Sequence, residues 1–227
     1  MAARGGQQRI PRPPSVRPGG PAPWSNLPAE ARRLSLAEVR ERCAELPPPR
    51  PPAVVAPGSR PAAVLVPLFE ADGEVHMVLT KRPETMPTHQ GEIVFPGGGV
   101  RAGVDATPLD AALRESEEEV GIPRSAVEIV AELDSIATFA TRFTITPFVG
   151  LLDPLPELVP HPGEVVKILE LPLSELLAGG AFHEEYWDAP DRPISFFELP
   201  GETVWGATAR ILVAFLTHLT GHRSDRR

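Results

Sequence analysis

The chain has 227 residues, 42% of them hydrophobic, and a formal net charge of −8 at pH 7. This length is sufficient for one domain with a sizeable core, and the negative charge does not favour binding to a nucleic acid backbone. Because Cys43 is the single cysteine, no disulfide bond can form within the chain. No apolar run approaches the length of a membrane span. We therefore expect a cytoplasmic protein with neither nucleic acid nor membrane as a partner.

The amino-terminal quarter of the sequence is rich in proline. Residues 1–27 are rich in Pro, Gly and Arg and have few apolar side chains, so this segment is predicted to be a disordered tail. Residues 28–61 are predicted to contain a helix followed by a proline-rich linker. Leu34, Val39 and Cys43 form the apolar stripe of this helix, and we interpret Cys43 as a core residue.

Residues 62–220 are predicted to form the main domain, and residues 221–227 a frayed tail. The domain opens with an apolar strand and a second strand, which are joined by the turn signal Asp72-Gly73. The pattern predicts strands at residues 62–69, 74–80, 126–135, 142–151, 164–171, 182–187 and 194–199, and a closing helix within residues 203–219.

A helix is predicted in the centre of the domain, within residues 95–122. Thr107 is a suitable N-cap, Pro108 suits the first helical position, and Asp110 completes a capping-box pattern. Gly121 fits the position just past the end of the helix. The inward face of this helix is predicted to consist of Leu109, Leu113, Ser116 and Val120.

Three carboxylates are predicted to gather on the opposite face of this helix. Glu115, Glu118 and Glu119 are spaced so that they lie close together, and Arg114 lies one turn before Glu118. Such a run is also typical of a solvated helix face. However, carboxylates this close repel one another unless a hard divalent cation lies among them, and Mg²⁺ prefers oxygen ligands.

A glycine loop precedes the helix and favours the interpretation as a metal site. Gly97, Gly98 and Gly99 carry no side chain, so backbone groups can approach a phosphate or its metal closely. These three glycines are therefore predicted to contact the substrate.

The glycine loop and the acidic helix together resemble the Nudix box, the signature of hydrolases acting on a nucleoside diphosphate linked to another group. Gly99 resembles the opening glycine, and residues 114–122 (RESEEEVGI) resemble the REUxEExGU end of the box. Asp105 stands where the family often has Glu, and Ser116 where an apolar residue is usual. The resemblance implies an α+β Nudix fold, which is an α/β/α sandwich with a central mixed sheet, and a pyrophosphatase that uses Mg²⁺ or Mn²⁺.

Three other segments resemble the coenzyme A pyrophosphatase branch of this family. Residues 79–98 resemble its upstream motif, in which LLTxR is followed by a second arginine, a glycine and FPGG, although Pro87 stands where the second arginine is expected. The segments TITPFVG (144–150) and WGATARIL (205–212) also resemble sequences of this branch. The resemblance implies hydrolysis of coenzyme A or acyl-CoA to 3′,5′-ADP and (acyl-)4′-phosphopantetheine.

The implied mechanism gives each polar residue a role. A metal ion held by Glu115, Glu118 and Glu119 would neutralise the pyrophosphate and orient a water molecule. Glu115 or Glu164 would accept the proton of that water, because family members often draw a base or an additional ligand from the region of Glu164. Arg114 is predicted to hold the glutamates in place.

Arg82, in the upstream motif, is predicted to bind the anionic substrate, a small molecule of the nucleotide type. Two alternatives remain open. Pro83 and Pro87 depart from the motif, which keeps another Nudix substrate such as ADP-ribose, NADH or a nucleoside triphosphate in consideration. The second alternative is a non-catalytic module that binds nucleotide for regulation, but such a module would not need crowded carboxylates. A homodimer is compatible with the sequence.

Overall fold

The computed structural model of the chain describes residues 4–86, 89–138, 140–187 and 193–221. Pro87, at the position where the upstream motif has its second arginine, lies outside these ranges. Of residues 221–227, which we predict to be frayed, residues 222–227 also lie outside them. Among the described residues, none of the helices has both the length and the apolar character needed to cross a membrane.

Strands dominate the secondary structure. In chain order they are β1 (Val16–Pro18), β2 (Arg60–Ala71), β3 (Glu74–Lys81), β4 (Ile93–Val94), β5 (Gly97–Gly99), β6 (Glu128–Glu132), β7 (Ile136–Thr138), β8 (Phe143–Leu152), β9 (Lys167–Pro172), β10 (Phe182–Trp187), β11 (Pro193–Leu199) and β12 (Glu202–Trp205). The α-helices are α1 (Leu36–Ala44), α2 (Pro108–Val120), α3 (Leu173–Leu176) and α4 (Gly206–Leu219).

Eight of these strands form a mixed sheet around β2. Strand β2 pairs in parallel with β8 along ten residues of each strand, and its hairpin with β3 is antiparallel, as the turn signal predicts. Strand β5 pairs with the start of β2, and β4 with the end of β3. Strand β9 pairs with β3, whereas β6 and β7 pair with β8. A second, antiparallel sheet has the order β1-β10-β11-β12.

Side chains of β2 alternate between two cores because successive residues of a strand point to opposite faces. Ala63 and Leu65 pack with Ala111 and Ala112 of α2. Val66, on the other face, belongs to the larger core, to which α1 and α4 contribute. The sheet is therefore covered by helices on both sides, and the predicted α+β sandwich with a mixed central sheet is confirmed.

Helix α2 begins and ends at the predicted residues. Thr107 caps its amino terminus in a capping box with Asp110, and Pro108 occupies the first turn. Gly121 ends the helix with φ of 75°, a left-handed conformation that glycine adopts without strain. These local signals fix the position of every carboxylate on the helix.

The amino-terminal segment differs from the prediction of a disordered tail. Its described part, residues 4–27, packs on the second sheet, where Val16–Pro18 pairs with β10. Trp24 is 1% exposed, and its ring stacks on Phe197 at a centroid distance of 6.1 Å. The composition of this segment is typical of disorder, so ordering it costs conformational entropy. The burial of Trp24 and the strand pairing offset this cost.

The predicted helix within residues 28–61 is shorter than expected. A 3₁₀ turn at Ala29–Arg32 is followed by α1, which starts after the N-cap Ser35. The linker beyond it contacts the main domain, since the Arg50 side chain donates to Asp134 at 2.7 Å.

Cys43 lies in the core, as predicted, and is 3% exposed. Burial raises the pKa of its thiol to about 11. At pH 8 only about one part in a thousand of Cys43 is therefore the thiolate, which is the reactive form.

We predict that the folded protein reacts far more slowly with a disulfide reagent such as DTNB than the urea-unfolded chain does. Equally fast reaction of the folded protein would contradict the core placement.

Candidate active site

The strand of three glycines lies directly beside α2. A Cβ atom at Gly98 would lie 2.7 Å from the carboxyl carbon of Glu115, so the glutamate occupies the space that a side chain would fill. At Gly97, whose φ is +151°, a Cβ atom would meet the Ala63 carbonyl oxygen of β2 at 2.4 Å. The first two glycines therefore let the helix, its carboxylates and β2 approach one another.

Three carboxylates meet at this place. Ligand oxygens of Glu115, Glu119 and Glu164 lie within 4.8 Å of one another, which is the separation expected of groups that can share one metal ion. Glu115 and Glu119 are only 7% and 3% exposed, respectively. Both side chains point inward, toward the glycine strand β5. The prediction that they lie on the helix face opposite the core is therefore wrong, because β5 covers them.

Backbone hydrogen bonds bring Glu164 to the helix. The His161 amide donates to the carbonyl oxygen of Glu119 at 2.9 Å, and the Val159 amide donates to that of Val120 at 3.0 Å. The Glu164 amide in turn donates to His161 at 3.2 Å. Glu164 thus lies in the turn ahead of β9, not in the strand as predicted, and the turn is fixed to the end of α2.

Glu118 is not grouped with these three carboxylates. It lies on the neighbouring strip of the helix surface, and its side chain is 45% exposed. Its Oε2 accepts hydrogen bonds from Arg114 at 3.1 Å and from Arg101 at 3.4 Å. Glu118 is thus bound by arginines. Glu164 occupies the position beside Glu115 and Glu119 that we predicted for Glu118.

Arg114 binds several acidic groups at once. Its Nε and Nη2 donate to the two oxygens of Asp105 at 2.9 and 2.8 Å, and its Nη1 donates to Glu115 at 2.6 Å. The hydrogen bonds from Arg114 lower the pKa of the Asp105 carboxyl to about 2. Arg114 thus contacts Glu115 and Asp105 together, and its role of holding the glutamates in place stays a prediction.

Glu119 is the carboxylate in the least favourable environment. Burial raises the pKa of its carboxyl to about 7, and the charges of Glu115 and Glu164 act in the same direction. The Gly97 amide, which donates to Glu119 at 3.1 Å, and Arg82, whose Nη1 lies 3.8 Å away, partly oppose this shift. A second positive charge close to Glu119 would stabilise its ionised form.

The donor set fits a hard divalent cation. It consists of carboxylate oxygens alone, two of them on buried side chains, and burying unneutralised carboxylates is costly. Of the predicted site residues, the structure brings together Glu115, Glu119 and Glu164, with Arg82, Arg114, Gly97 and Gly98 in contact with them. Gly99 contributes its carbonyl oxygen, which accepts from Arg114 at 3.4 Å.

Arg101 is the site residue that sequence analysis missed. Its Nη2 donates to Glu115 at 3.2 Å and to Glu118 at 3.4 Å. The one available signal was its position two residues after the glycines, and this is weak because a loop arginine is usually solvated.

Comparison with known proteins is consistent with this geometry. The NUDIX domain model matches residues 59–194. The chain is 37% identical over 183 residues to an uncharacterized Nudix hydrolase NudL of Photorhabdus laumondii, with 79% of this chain and 95% of the relative covered. A protein of the same description from Klebsiella pneumoniae is 36% identical over 183 residues, which cover 80% of this chain and 93% of the relative.

A solved structure shares the fold. The crystal structure of a MutT/nudix family protein from Enterococcus faecalis matches with a TM-score of 0.50 and 15% identity, covering 83% of this chain and 70% of that chain. The domain match over residues 59–194 and the 37% identity to the Photorhabdus laumondii relative show that the chain belongs to the Nudix family. Within it, the chain is similar to the hydrolases that carry the name NudL.

The contact between Gly98 and Glu115 can be tested by adding one methyl group. Gly98→Ala forces Glu115 to move, and we expect the affinity for Mn²⁺ to fall about tenfold or more. Gly99→Ala is the matched control, because a Cβ atom there meets nothing within 4 Å. Electron paramagnetic resonance of free Mn²⁺ measures both affinities. Equal affinities in two folded variants would contradict the contact.

The pKa of Glu119 predicts how metal binding depends on pH. A metal ion needs the ionised carboxylate, so below about pH 7 the ion must displace a proton from Glu119. The affinity for Mn²⁺ should therefore rise with pH up to about pH 7, by at most about tenfold per pH unit, and level off above it. Titrations between pH 5.5 and 8.5 measure this. In Glu119→Gln the rise between pH 6 and 7 should be lost, and its persistence there would assign the proton to another group.

Proposed function

We propose that this Nudix hydrolase is a metal-dependent pyrophosphatase that cleaves coenzyme A or acyl-CoA to 3′,5′-ADP and (acyl-)4′-phosphopantetheine. The observation that carries the hydrolytic part is the meeting of Glu115, Glu119 and Glu164 within 4.8 Å, beside a strand without side chains. Two separate segments of the chain supply these groups.

In this proposal Glu115, Glu119 and Glu164 hold Mg²⁺ or Mn²⁺. When bound, the ion supplies positive charge to the pyrophosphate and lowers the pKa of a bound water molecule. Arg114 keeps Glu115 in place through their 2.6 Å hydrogen bond, and Gly98 leaves the space that Glu115 needs. Glu118, the third acidic partner of Arg114 after Asp105 and Glu115, supports this arrangement from the exposed side.

Glu164 is the proposed proton acceptor. Oε1 of Glu115 already accepts hydrogen bonds from Arg114 and Arg101, and Glu119 is buried. Glu164 lies in a turn and is the most exposed of the three, so its carboxylate would be accessible to an attacking water.

The substrate part of the proposal is supported by the motifs. Arg82, from the segment that resembles the coenzyme A branch, lies at the edge of the carboxylate cluster with 18% of its side chain exposed. Its Nε is buried and has no hydrogen-bond partner among the described residues. A bound phosphate oxygen would complete this arrangement, because a buried donor without a partner is costly.

A product assay tests both parts. The protein is incubated with Mg²⁺ or Mn²⁺ and, separately, with coenzyme A, an acyl-CoA, ADP-ribose and NADH, and the products are resolved by chromatography. We expect release of 3′,5′-ADP from coenzyme A or acyl-CoA. Glu119→Gln should lower this rate about 100-fold or more, whereas Glu117→Gln should not, since Glu117 is an exposed carboxylate of the same helix.

The outcomes separate the alternatives. Turnover of ADP-ribose or NADH with coenzyme A untouched would overturn the substrate proposal and retain the pyrophosphatase. In that case the prolines at positions 83 and 87 would mark a different specificity. Binding of a nucleotide without turnover of any substrate would favour the regulatory module.

A further inference from the structure

Arg101 lies above the carboxylate cluster in a turn whose backbone is fixed. Its amide donates to Asp105 at 2.7 Å, and its carbonyl oxygen accepts from the amides of Val104 and Asp105 at 3.1 and 2.9 Å. Asp105 is itself bound by Arg114. The backbone of Arg101 is therefore held in place next to Asp105 and Arg114.

The side chain of Arg101 is held much less firmly than its backbone. It is 54% exposed, and one nitrogen, Nη2, makes both of its contacts, at 3.2 Å to Glu115 and 3.4 Å to Glu118. Arg114, in comparison, is 16% exposed and approaches the same Glu115 oxygen to 2.6 Å. Exposed ion pairs of this kind are weak, so the contacts of Arg101 are the ones that break first.

The same carboxylate is a candidate metal ligand. Glu115 belongs to the group that can hold a cation, and Arg101 contacts it through Oε1. A cation bound by these carboxylates would repel the guanidinium of Arg101, because Arg101 Nη2 lies only 3.2 Å from Glu115 Oε1. Because its contacts are weaker than those of Arg114, the Arg101 side chain is the one that can turn toward solvent while its backbone stays in place.

We propose that Arg101 occupies the carboxylates in the metal-free protein and that, once the metal is bound, it binds the diphosphate of the substrate. The inference rests on the proposed pyrophosphatase function. It makes Arg101 a competitor of the metal in one state and a substrate-binding residue in the other, because a guanidinium matches both carboxylate and phosphate oxygens.

Two measurements on the full chain test this, and neither depends on turnover. Affinity for Mn²⁺ alone is measured by electron paramagnetic resonance, and affinity for methylenediphosphonate, a diphosphate that resists hydrolysis, by calorimetry in saturating Mg²⁺. In Arg101→Gln we expect Mn²⁺ to bind about fivefold more tightly and the diphosphonate about tenfold more weakly.

Arg124→Gln is the matched control. Arg124 is 55% exposed and pairs with Asp110 on the same helix, away from the cluster. Arg101→Lys, which keeps the charge on a shorter and narrower group, should change both affinities in the same directions but less.

The proposal predicts that Arg101→Gln strengthens Mn²⁺ binding and weakens diphosphonate binding. If Arg101→Gln changes Mn²⁺ affinity no more than Arg124→Gln does, or leaves diphosphonate affinity unchanged, the proposal is overturned. If the unaltered chain binds no Mn²⁺, the proposed function itself fails. Turnover of a substrate other than coenzyme A leaves this test intact, because neither probe contains a nucleoside.

Discussion

The structure depends on the close contact between buried carboxylates and a strand that has no side chains. Glu115 and Glu119 are almost fully buried, which is unfavourable for charged groups unless other groups compensate them. Compensation comes from the Gly97 amide, from arginines and, in the proposed function, from a cation. The neighbouring strands and helices serve this contact: β2 fixes the glycine strand, and the capped helix fixes the glutamates.

A layered set of charges surrounds this contact. Arg114 is bound on one side by Asp105 and on the other by Glu115 and Glu118, so its position is determined from two directions. The Asp at position 105, where the family often has Glu, is long enough to reach Arg114 through both oxygens. The arginines thus set the shape of the acidic cluster before any ligand enters.

Sequence reasoning succeeded where the determining forces are local. The caps of α2 and the hairpin of β2 with β3 depend on residues a few positions apart, and each was predicted from those residues. The resemblance to the Nudix box and its neighbouring motifs gave the family and the fold.

The predictions that the structure corrects concern contacts between segments that are distant in the sequence. The helical pattern placed Glu115 and Glu119 on an outer face, because it cannot show that the glycine strand covers them. Glu164 was expected near the site from the family resemblance, but the strand pattern placed it within a strand, whereas backbone hydrogen bonds hold it in a turn against α2. Composition likewise predicted disorder for the amino terminus, since one buried Trp24 contributes little to an average over the segment.

The pairing of β1 with β10 has a practical consequence for handling the protein. Without residues 16–18, β10 would become an edge strand whose free amides and carbonyls could pair with another molecule. A chain shortened at its low-complexity beginning would also lose the contact between Arg12 and Glu185. Such a shortened chain would tend to aggregate during purification, although the missing residues lie outside α2 and carry none of its carboxylates.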